Sequence, residues 1–440
     1  MGPVGPNGGA RAGGGRLLPV LLPLLVTTPV SPPADTAIAI VDVRLLPMDG
    51  SPARDGQSVL VEGDRIVWVG PTGSLPAPPG TVLVRGEGRT LMPGLVDMHV
   101  HLDRGDLDTY LAHGVTTVRN MWGFPDVREM IREIESGETA GPTIFTVSSG
   151  LDGTPPKWPL TQLVMDPAAA DSVVEEQWRA GYRTLKVYQD LRPAAYDSIV
   201  AAAGRRGMDL VGHVPHRVGL DRALAAGQRS LEHLSGYVGV LSRSGSRGPA
   251  AWTGIHDERL PAAVAATAEA GAWVCPTLAI VFRMGRDLPT GRREAFRVNR
   301  RRVVKALHEG GVRLLVGTDS GIDVVDPGAS MLAELEEFEA AGIPAIDALR
   351  IATADAAEFL GSKGEFGVVA AGARADLLLL DEDPSRRLGT LATPAGVMVR
   401  GRWFLEPLAS PRRARPREDL TPRGAVPPAR ASIAGGAPGR

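Results

Sequence analysis

The sequence predicts an α/β fold in which a (β/α)8 TIM barrel is joined to a small β-sandwich domain made from both chain ends. Between residues 93 and 365, eight short apolar segments alternate with helical patterns. Eight strands alternating with helices is the strand count of such a barrel. The flanking regions 36–92 and 366–406 contain apolar runs and turn signals without helical periodicity, which indicates strands, antiparallel in the first region.

The candidate barrel strands are short apolar runs bounded by polar or turn residues. They are 96–102, 115–121, 143–149, 184–188, 209–214, 229–234, 273–278 and 313–319. Helical patterns lie between most of them, for example at 126–136, 167–180, 193–206 and 261–270. A doubly wound open sheet is the alternative. Because no Gly-x-Gly-x-x-Gly turn follows the first strand, a dinucleotide-binding fold has little support.

Both termini differ from the rest of the chain. Residues 1–35 contain Arg11 and Arg16, the apolar run 17–26 and then small and proline residues, which predicts a signal peptide or a disordered leader. Export to the periplasm or the medium is therefore expected, with a cytoplasmic location as the alternative. The apolar run is too short for a stable membrane span. Residues 407–440 are rich in Pro, Arg, Ala and Gly and predict a disordered tail.

The composition is that of a soluble globular protein. The chain has 440 residues, 43% hydrophobic and 22% charged, with a net charge of −2, so it indicates no nucleic-acid partner. Its single cysteine, Cys275, allows neither an intrachain disulfide nor a cysteine-based zinc cluster, and is predicted to be a small buried apolar residue. Any metal must be held by His, Asp, Glu or a modified side chain.

Two histidines one residue apart, His99 and His101, lie in the first candidate barrel strand. Residues i and i+2 of a strand point to the same face, so both imidazoles aim at one point. Such a pair is half of a metal site. Taken alone, a pair of surface or core histidines is the simpler interpretation.

Polar residues also fall at the ends of four later candidate strands. They are Lys186, His213, His233 and Asp319. The carboxyl ends of barrel strands meet at one face, where unpaired buried polar groups would be costly. Singly, the lysine could be ion-paired, the histidines could be core residues and the aspartate a helix cap. Together with the first two histidines they predict a site for two divalent cations.

Lys186 is notable because only four of the 48 basic residues are lysines. An ammonium group cannot bind a metal ion. A buried lysine has a lowered pKa, however, and its free amine can react with carbon dioxide. The resulting carbamate would be an anionic bridge with two oxygens, so a carbamylated lysine would explain why arginine does not occupy this position.

These motifs resemble the amidohydrolase superfamily, and specifically its imidazolonepropionase-like and zinc-prolidase-like branch of metal-dependent hydrolases. The resemblance covers about residues 36–406, and the matching segments are 93–101, 185–188, 212–215, 232–233, 317–319 and 372–377 together with Gly401. It implies that His99, His101 and Asp319 hold one ion and that His213 and His233 hold the other. Carbamylated Lys186 would bridge the two.

The resemblance also implies an activity, hydrolysis of a C–N bond in a small amide, cyclic amide or peptide-like molecule. A hydroxide between the two ions would attack, with Asp319 as general base and then acid. Zinc is the expected metal, and manganese, iron or cobalt would fit. The first alternative is an esterase, lactonase or phosphotriesterase on the same scaffold, and the second is a non-catalytic binding protein. A homo-oligomer is compatible with the sequence.

Three further residues are predicted substrate contacts. Tyr188 and Asn120 stand at strand ends, and His216 is three residues past His213. Packing or capping is the alternative for the first two. The chain departs from zinc prolidases in segment 148–153, which lacks their loop histidine, and at Gly212, where they carry tyrosine.

Overall fold

The computed structural model describes residues 36–245, 248–322 and 325–405. The predicted leader, 1–35, and the predicted tail, 407–440, lie outside these residues, so both stay predictions. Within the described part of the chain, no helix is both long enough and apolar enough to cross a bilayer.

The strands and helices alternate through the middle of the chain. The strands are β1 (Ile38–Leu45), β2 (Arg54–Glu62), β3 (Arg65–Pro71), β4 (Val82–Arg85), β5 (Thr90–Pro93), β6 (Leu95–Val100), β7 (Val115–Asn120), β8 (Thr143–Thr146), β9 (Gly150–Asp152), β10 (Gln162–Leu163), β11 (Thr184–Val187), β12 (Asp209–Gly212), β13 (Ser230–Glu232), β14 (Trp273–Cys275), β15 (Leu377–Leu380), β16 (Gly396–Val399) and β17 (Arg402–Leu405). The helices are α1 (Leu107–Ala112), α2 (Val127–Ser136), α3 (Ala170–Arg179), α4 (Pro193–Arg205), α5 (Leu220–Ala225), α6 (Ser235–Leu241), α7 (Leu260–Glu269), α8 (Leu278–Met284), α9 (Thr290–Glu309), α10 (Ser330–Ala340), α11 (Ala345–Arg350) and α12 (Ala356–Phe359).

One eight-stranded sheet contains strands from both ends of the described chain. Its order is β17-β16-β15-β5-β1-β2-β3, and β4 also pairs with β1. The antiparallel prediction is correct for β1–β2 and β2–β3 but wrong for β4 and β5, which run parallel to β1. The first half of β1 pairs with β4 and its last residues pair with β5. Asp42, with a φ of 58°, lies where the partner changes.

This sheet carries apolar side chains on both faces. Val59 and Val61 belong to one buried cluster, whereas Leu60 packs with Ala39 in another. The split follows from the strand geometry, because successive side chains point to opposite faces.

Seven of the eight predicted barrel strands lie in two parallel sheets, which also contain the unpredicted β9 and β10. One has the order β6-β7-β8 and the other has the order β10-β9-β11-β12-β13-β14. Their strand ladders are parallel, as barrel and other βαβ units require. The α/β class is therefore observed, while the assigned topology consists of separate sheets.

Segment 313–320 takes the place of the predicted eighth strand. It forms no regular strand, but its backbone contacts both parallel sheets: the Leu315 amide donates to Val274 O at 2.8 Å, and the Asp319 amide donates to His99 O at 2.7 Å. On the other side, the Ser148 amide donates to Thr184 O at 2.9 Å. Hydrogen bonds therefore join the two sheets at both of their edges.

Helix α9, the longest helix with 20 residues, was not among the predicted helices. Its buried positions recur at helical spacing and form one face, and they are Phe296, Arg300, Val303, Val304 and Leu307. One member of this face is an arginine. The helix thus brings a cation into an otherwise apolar interior.

Candidate metal centre

The six predicted metal ligands lie together at the carboxyl ends of the parallel strands. They are His99 and His101 at β6, Lys186 in β11, His213 after β12, His233 after β13 and Asp319 in segment 313–320. Four of them are at least nine-tenths buried, with exposed fractions of 0% for His99, 1% for Lys186, 7% for Asp319 and 8% for His213.

The Asp319 carboxylate is the centre of this group. Its Oδ1 lies 3.0 Å from His101 Nε2 and 3.3 Å from His99 Nε2, and its Oδ2 lies 3.9 Å from His233 Nδ1. The ring centroids of His213 and His233 are 4.6 Å apart. One carboxylate and four imidazoles therefore converge on a single small volume.

Several polar atoms in this volume are buried and lack a hydrogen-bond partner among the described residues. They are His99 Nε2, His213 Nδ1 and Asp319 Oδ1. Buried polar atoms are normally paired, and an unpaired one is costly. Ring nitrogens and a carboxylate oxygen are also ligand atoms for borderline metal ions such as zinc. The donor set present here therefore fits a divalent metal ion.

Two of the predicted ligand residues interrupt the strands on which they lie. His233 and Asp319 have φ values of 61° and 58°, in the left-handed region that residues with a Cβ rarely adopt. Each is held there by its backbone, with the His233 amide donating to Cys275 O at 2.8 Å and the Asp319 amide to His99 O at 2.7 Å. This strain turns both side chains towards the common centre.

Two glycines allow segment 313–320 to lie close to β6. A Cβ at Gly321, where φ is +93°, would lie 1.7 Å from His101 O. A Cβ at Gly317 would lie 2.8 Å from His99 Cβ. Only glycine fits at such distances, so the spacing between Asp319 and the two β6 histidines depends on these positions.

Lys186 differs from the other lysines of the chain. Lys157, Lys305 and Lys363 each lie within 4.0 Å of a carboxylate, on Asp190, Glu309 and Glu358 respectively. In the described part of the chain, Lys186 has no such partner, although its side chain is buried. Burial lowers the pKa of its amine to about 8. About a tenth of the amine is therefore uncharged at pH 7, far more than for a lysine with the ordinary pKa.

The sequence prediction missed Glu232, which orients His99. Glu232 Oε2 accepts from His99 Nδ1 at 2.8 Å, while Oε1 accepts from Arg119 Nη2 at 2.9 Å and Ser230 Oγ at 2.5 Å. Burial alone would raise the pKa of the Glu232 carboxyl, but the Arg119 charge and the His99 hydrogen bond keep it well below its usual range. Burial lowers the pKa of His99 to about 3, so the ring is neutral and directs its Nε2 lone pair into the centre.

Asp97 was also missed, and it ties β6 to segment 313–320. Its Oδ1 accepts from the amides of His99 at 3.2 Å and Thr318 at 3.0 Å, and its Oδ2 accepts from Thr318 Oγ1 at 2.6 Å. The available sequence signal was its position two residues before His99, on the same strand face. Burial raises the pKa of the Asp97 carboxyl to about 7.

A cavity of about 440 Å³ opens above the centre. All six predicted ligands line its polar end. Apolar side chains line another part of its wall, among them Val238, Trp252, Val281, Phe296 and Ile322. The cavity therefore offers a polar reaction end beside an apolar wall, an arrangement typical of small-molecule sites.

The three predicted substrate contacts lie in different places. Tyr188 and His216 line the cavity, and the Tyr188 hydroxyl accepts from Trp158 Nε1 at 2.7 Å. Asn120 is fully buried and is not among the residues that line the cavity. Its Oδ1 accepts from the Leu102 amide at 3.2 Å and its Nδ2 donates to Trp122 O at 2.8 Å. Asn120 therefore holds the loop after β6, and its geometry gives no support to a substrate contact.

The fold has parallel strands, and histidines, an aspartate and a buried lysine lie at the strand ends. This combination is typical of metal-dependent hydrolases. The amidohydrolase family model matches residues 90–404, so the chain belongs to the amidohydrolase family. The predicted family and the predicted enzyme class are thereby confirmed.

Known relatives and solved structures agree with this assignment. The chain is 27% identical over 392 residues to an imidazolonepropionase of Rubrobacter xylanophilus, covering 74% of this chain and 84% of the relative. It is 24% identical over 433 residues to an ochratoxinase of Aspergillus niger, covering 80% and 83%. Bottromycin amidohydrolase is a similar solved structure, with a TM-score of 0.66 and 28% identity over 83% of this chain and 86% of that one.

Proposed function

We propose that the protein is a binuclear metal-dependent hydrolase that cleaves a C–N bond in a small amide, cyclic amide or peptide-like molecule. In this proposal the two parallel sheets and segment 313–320 form one closed (β/α)8 barrel, and the eight-stranded sheet is the small second domain. The hydrogen bonds at both sheet edges support the closed ring.

The observation that carries the proposal is the convergence of unpaired ligand atoms on one buried point. Asp319 lies within 3.3 Å of both His99 and His101, and the His213 and His233 rings are in contact beside them. We assign His99, His101 and Asp319 to one ion and His213 and His233 to the other, with zinc as the expected metal. When bound, the ions would supply Lewis acidity and activate water for attack.

Lys186 is assigned as a carbamate bridge between the two ions. The uncharged amine adds to the carbon of carbon dioxide, forming an N–C bond and releasing one proton. The lowered pKa of Lys186 and the absence of a carboxylate within 4.0 Å of its amine among the described residues support this assignment.

Asp319 is assigned the proton transfer. Burial alone would raise the pKa of its carboxyl, but the surrounding imidazoles of His99 and His233 outweigh that effect and keep the pKa well below the usual range, so Asp319 is ionised at neutral pH. A carboxylate at the centre of the site would take a proton from the attacking water and give it to the leaving nitrogen. The nitrogen then departs as a neutral amine.

The test combines metal analysis with turnover in the wild type and in Asp319→Asn. Native protein should contain about two metal ions per chain and hydrolyse at least one member of a panel of N-acyl amino acids, dipeptides and cyclic amides. The variant should keep its melting temperature within a few degrees and lose at least about 100-fold in kcat, as removal of an acid–base group does. The matched control is Asp126→Asn, an exposed aspartate that should leave both quantities unchanged.

Esters, lactones and phosphotriesters belong in the same panel. Turnover of these substrates without any hydrolysis of C–N bonds would overturn the proposed substrate class, but it would not contradict the proposed metal centre. One ion per chain would overturn the binuclear assignment. Appreciable activity of Asp319→Asn would exclude the aspartate as the base.

A further inference from the structure

The wall of the cavity contains a buried cation that the proposed chemistry does not use. Arg300, on the buried face of α9, is 2% exposed and lines the same cavity as the metal-type centre. Its Nη2 donates to His233 O at 2.7 Å and more weakly to Pro276 O at 3.3 Å. The guanidinium therefore lies one hydrogen bond away from the backbone of a predicted metal ligand.

In the described part of the chain Arg300 makes no ion pair, and the buried carboxyl of Glu334 acts on it only from a longer distance. No carboxylate there lies within 4.0 Å of it, and its Nε is buried without a hydrogen-bond partner. Aromatic rings provide partial compensation, since the guanidinium carbon lies 4.8 Å from the Trp252 ring centroid and 5.9 Å from that of Phe296. A buried charge normally has an ionic partner, so an anion is the missing element.

Two other cations of the described residues, Lys157 and Arg297, already have carboxylate partners. Lys157 lines the cavity too, but it is 44% exposed and pairs with Asp190 at 3.4 Å. Arg297, one turn earlier on α9, pairs with Glu337 at 3.3 Å and does not line the cavity. Arg300 alone among these three combines burial, a place on the cavity wall and unused donors.

We propose that Arg300 binds a carboxylate of the substrate, and that the substrate is an N-acyl or peptidyl amino acid whose free carboxylate lies next to the cleaved bond. The planar guanidinium can bind a carboxylate through two N–H groups. Its closeness to His233 requires a short distance between the anion and the scissile amide, as in an α-amino acid. Trp252 and Phe296 would contact an apolar side chain of that amino acid. This proposal rests on the proposed function for its account of the cleaved bond.

Equilibrium binding of a matched pair of probes tests the proposal without relying on turnover. The probes are the ketone isostere of N-acetyl-L-phenylalanine, in which a CH2 group replaces the amide nitrogen so that no C–N bond can be cleaved there, and its uncharged carboxamide, each titrated calorimetrically into the metal-loaded protein. The wild type should bind the acid about 10- to 100-fold more tightly than the amide, as expected for a charge-assisted contact. Arg300→Met should abolish this difference by weakening the acid alone, whereas Arg300→Lys should keep part of it.

Arg297→Met is the matched control, because it removes an arginine from the same helix without touching the cavity wall. It should preserve the preference for the acid. Equal affinity of the wild type for both probes, or an unchanged preference in Arg300→Met, overturns the proposal. A purely structural role would weaken both probes equally in Arg300→Met, and this result also overturns it.

The same variants separate this inference from the proposed function. If the wild type cleaves amides but does not distinguish the acid from the amide, only the carboxylate assignment fails. If it binds the acid through Arg300 but cleaves no C–N bond, only the proposed reaction fails.

Discussion

Glu232 and Arg119 form a buried ion pair whose carboxylate also fixes the orientation of His99. That the four histidines of the centre lie together could be predicted, because their spacing on a strand, or their place at a strand end, is visible in the sequence. Glu232 could not be predicted in the same way. Its partners Arg119 and His99 are 113 and 133 residues away, and a carboxylate gains its role here only through such distant contacts.

Glu232→Gln should weaken metal binding and also the fold. Glutamine has one neutral acceptor oxygen, whereas the carboxylate has two charged ones that accept from His99 and Arg119. His99 would therefore be held less firmly, and metal affinity should fall about 10- to 100-fold. Arg119 would keep a buried charge without a partner, which should lower the free energy of unfolding by about 3–5 kcal/mol. Zinc titration and thermal unfolding measure the two effects.

Ser230→Ala provides the control for that experiment, since it removes the hydrogen bond that Ser230 donates to Glu232 and the one that it accepts from Arg119, but keeps the ion pair. It should cost about 1–3 kcal/mol in stability. Zinc affinity that is unchanged in Glu232→Gln would exclude the orienting role.

The elements of the central region were predicted well where the apolar periodicity is strong, and poorly where a residue of the candidate metal centre ends a strand. The predicted helix 126–136 corresponds to α2 (Val127–Ser136), whose apolar face and terminal Gly137 are both readable signals. The predicted strand 229–234 is only β13 (Ser230–Glu232), because His233 has a positive φ. Helix α9 was not predicted, because its many arginines weaken the apolar periodicity and because Arg300 lies on the buried face among apolar residues.

One contact between helices predicts a pH-dependent stability. Glu334 of α10 accepts from the amides of Leu278 and Ala279 at the start of α8, at 2.8 and 2.6 Å. Burial raises the pKa of its carboxyl to about 8, above the unfolded value of 4.5. The folded state therefore binds one more proton than the unfolded state between these pH values. This stabilising contribution is complete below about pH 4.5 and is lost as the pH rises through 8.

Relative to Glu334→Gln, the wild type should lose about 1 kcal/mol of unfolding free energy per pH unit between pH 5 and 8. Denaturant unfolding of both proteins at several pH values measures the difference. Glu336→Gln, an exposed change on the same helix, serves as the reference for the loss of one surface carboxylate. A difference that stays constant across this range would contradict the prediction.

At the scale of the whole molecule, the sheet that unites both chain ends is attached to the parallel strands by arginines. Arg400 donates to Thr143 Oγ1 at 3.0 Å and to Ile134 O at 3.1 Å, and Arg374 donates to Thr117 Oγ1 at 3.0 Å. The sequence indicated strands at both ends, but the parallel pairing of β4 and β5 with β1 could not be read from it. Strand direction is fixed by contacts between strands, and the apolar pattern of each strand is the same in either direction.

Arg400→Met should weaken this attachment. Thr143 Oγ1, Ile134 O and Gly141 O would each lose a half-buried donor, which should cost about 1–3 kcal/mol in total. Differential scanning calorimetry measures the loss as a lower melting temperature. Arg402→Met, which removes an exposed contact to Gly137 O, should have a smaller effect. Equal shifts for the two variants would show that Arg400 has no special role.

Cys275 lies directly beneath the metal-type centre. Its Sγ lies within 4.8 Å of a ring nitrogen of His99 and of a carboxylate oxygen of Glu232. It is fully buried, and burial raises the pKa of its thiol well above the usual value. Because it is the single cysteine of the chain, the native protein carries one chemical reporter that a thiol reagent reaches after the strand ends separate. The rate at which a reagent labels this thiol therefore measures how often the strands around the candidate metal centre open, and the measurement requires no engineered probe.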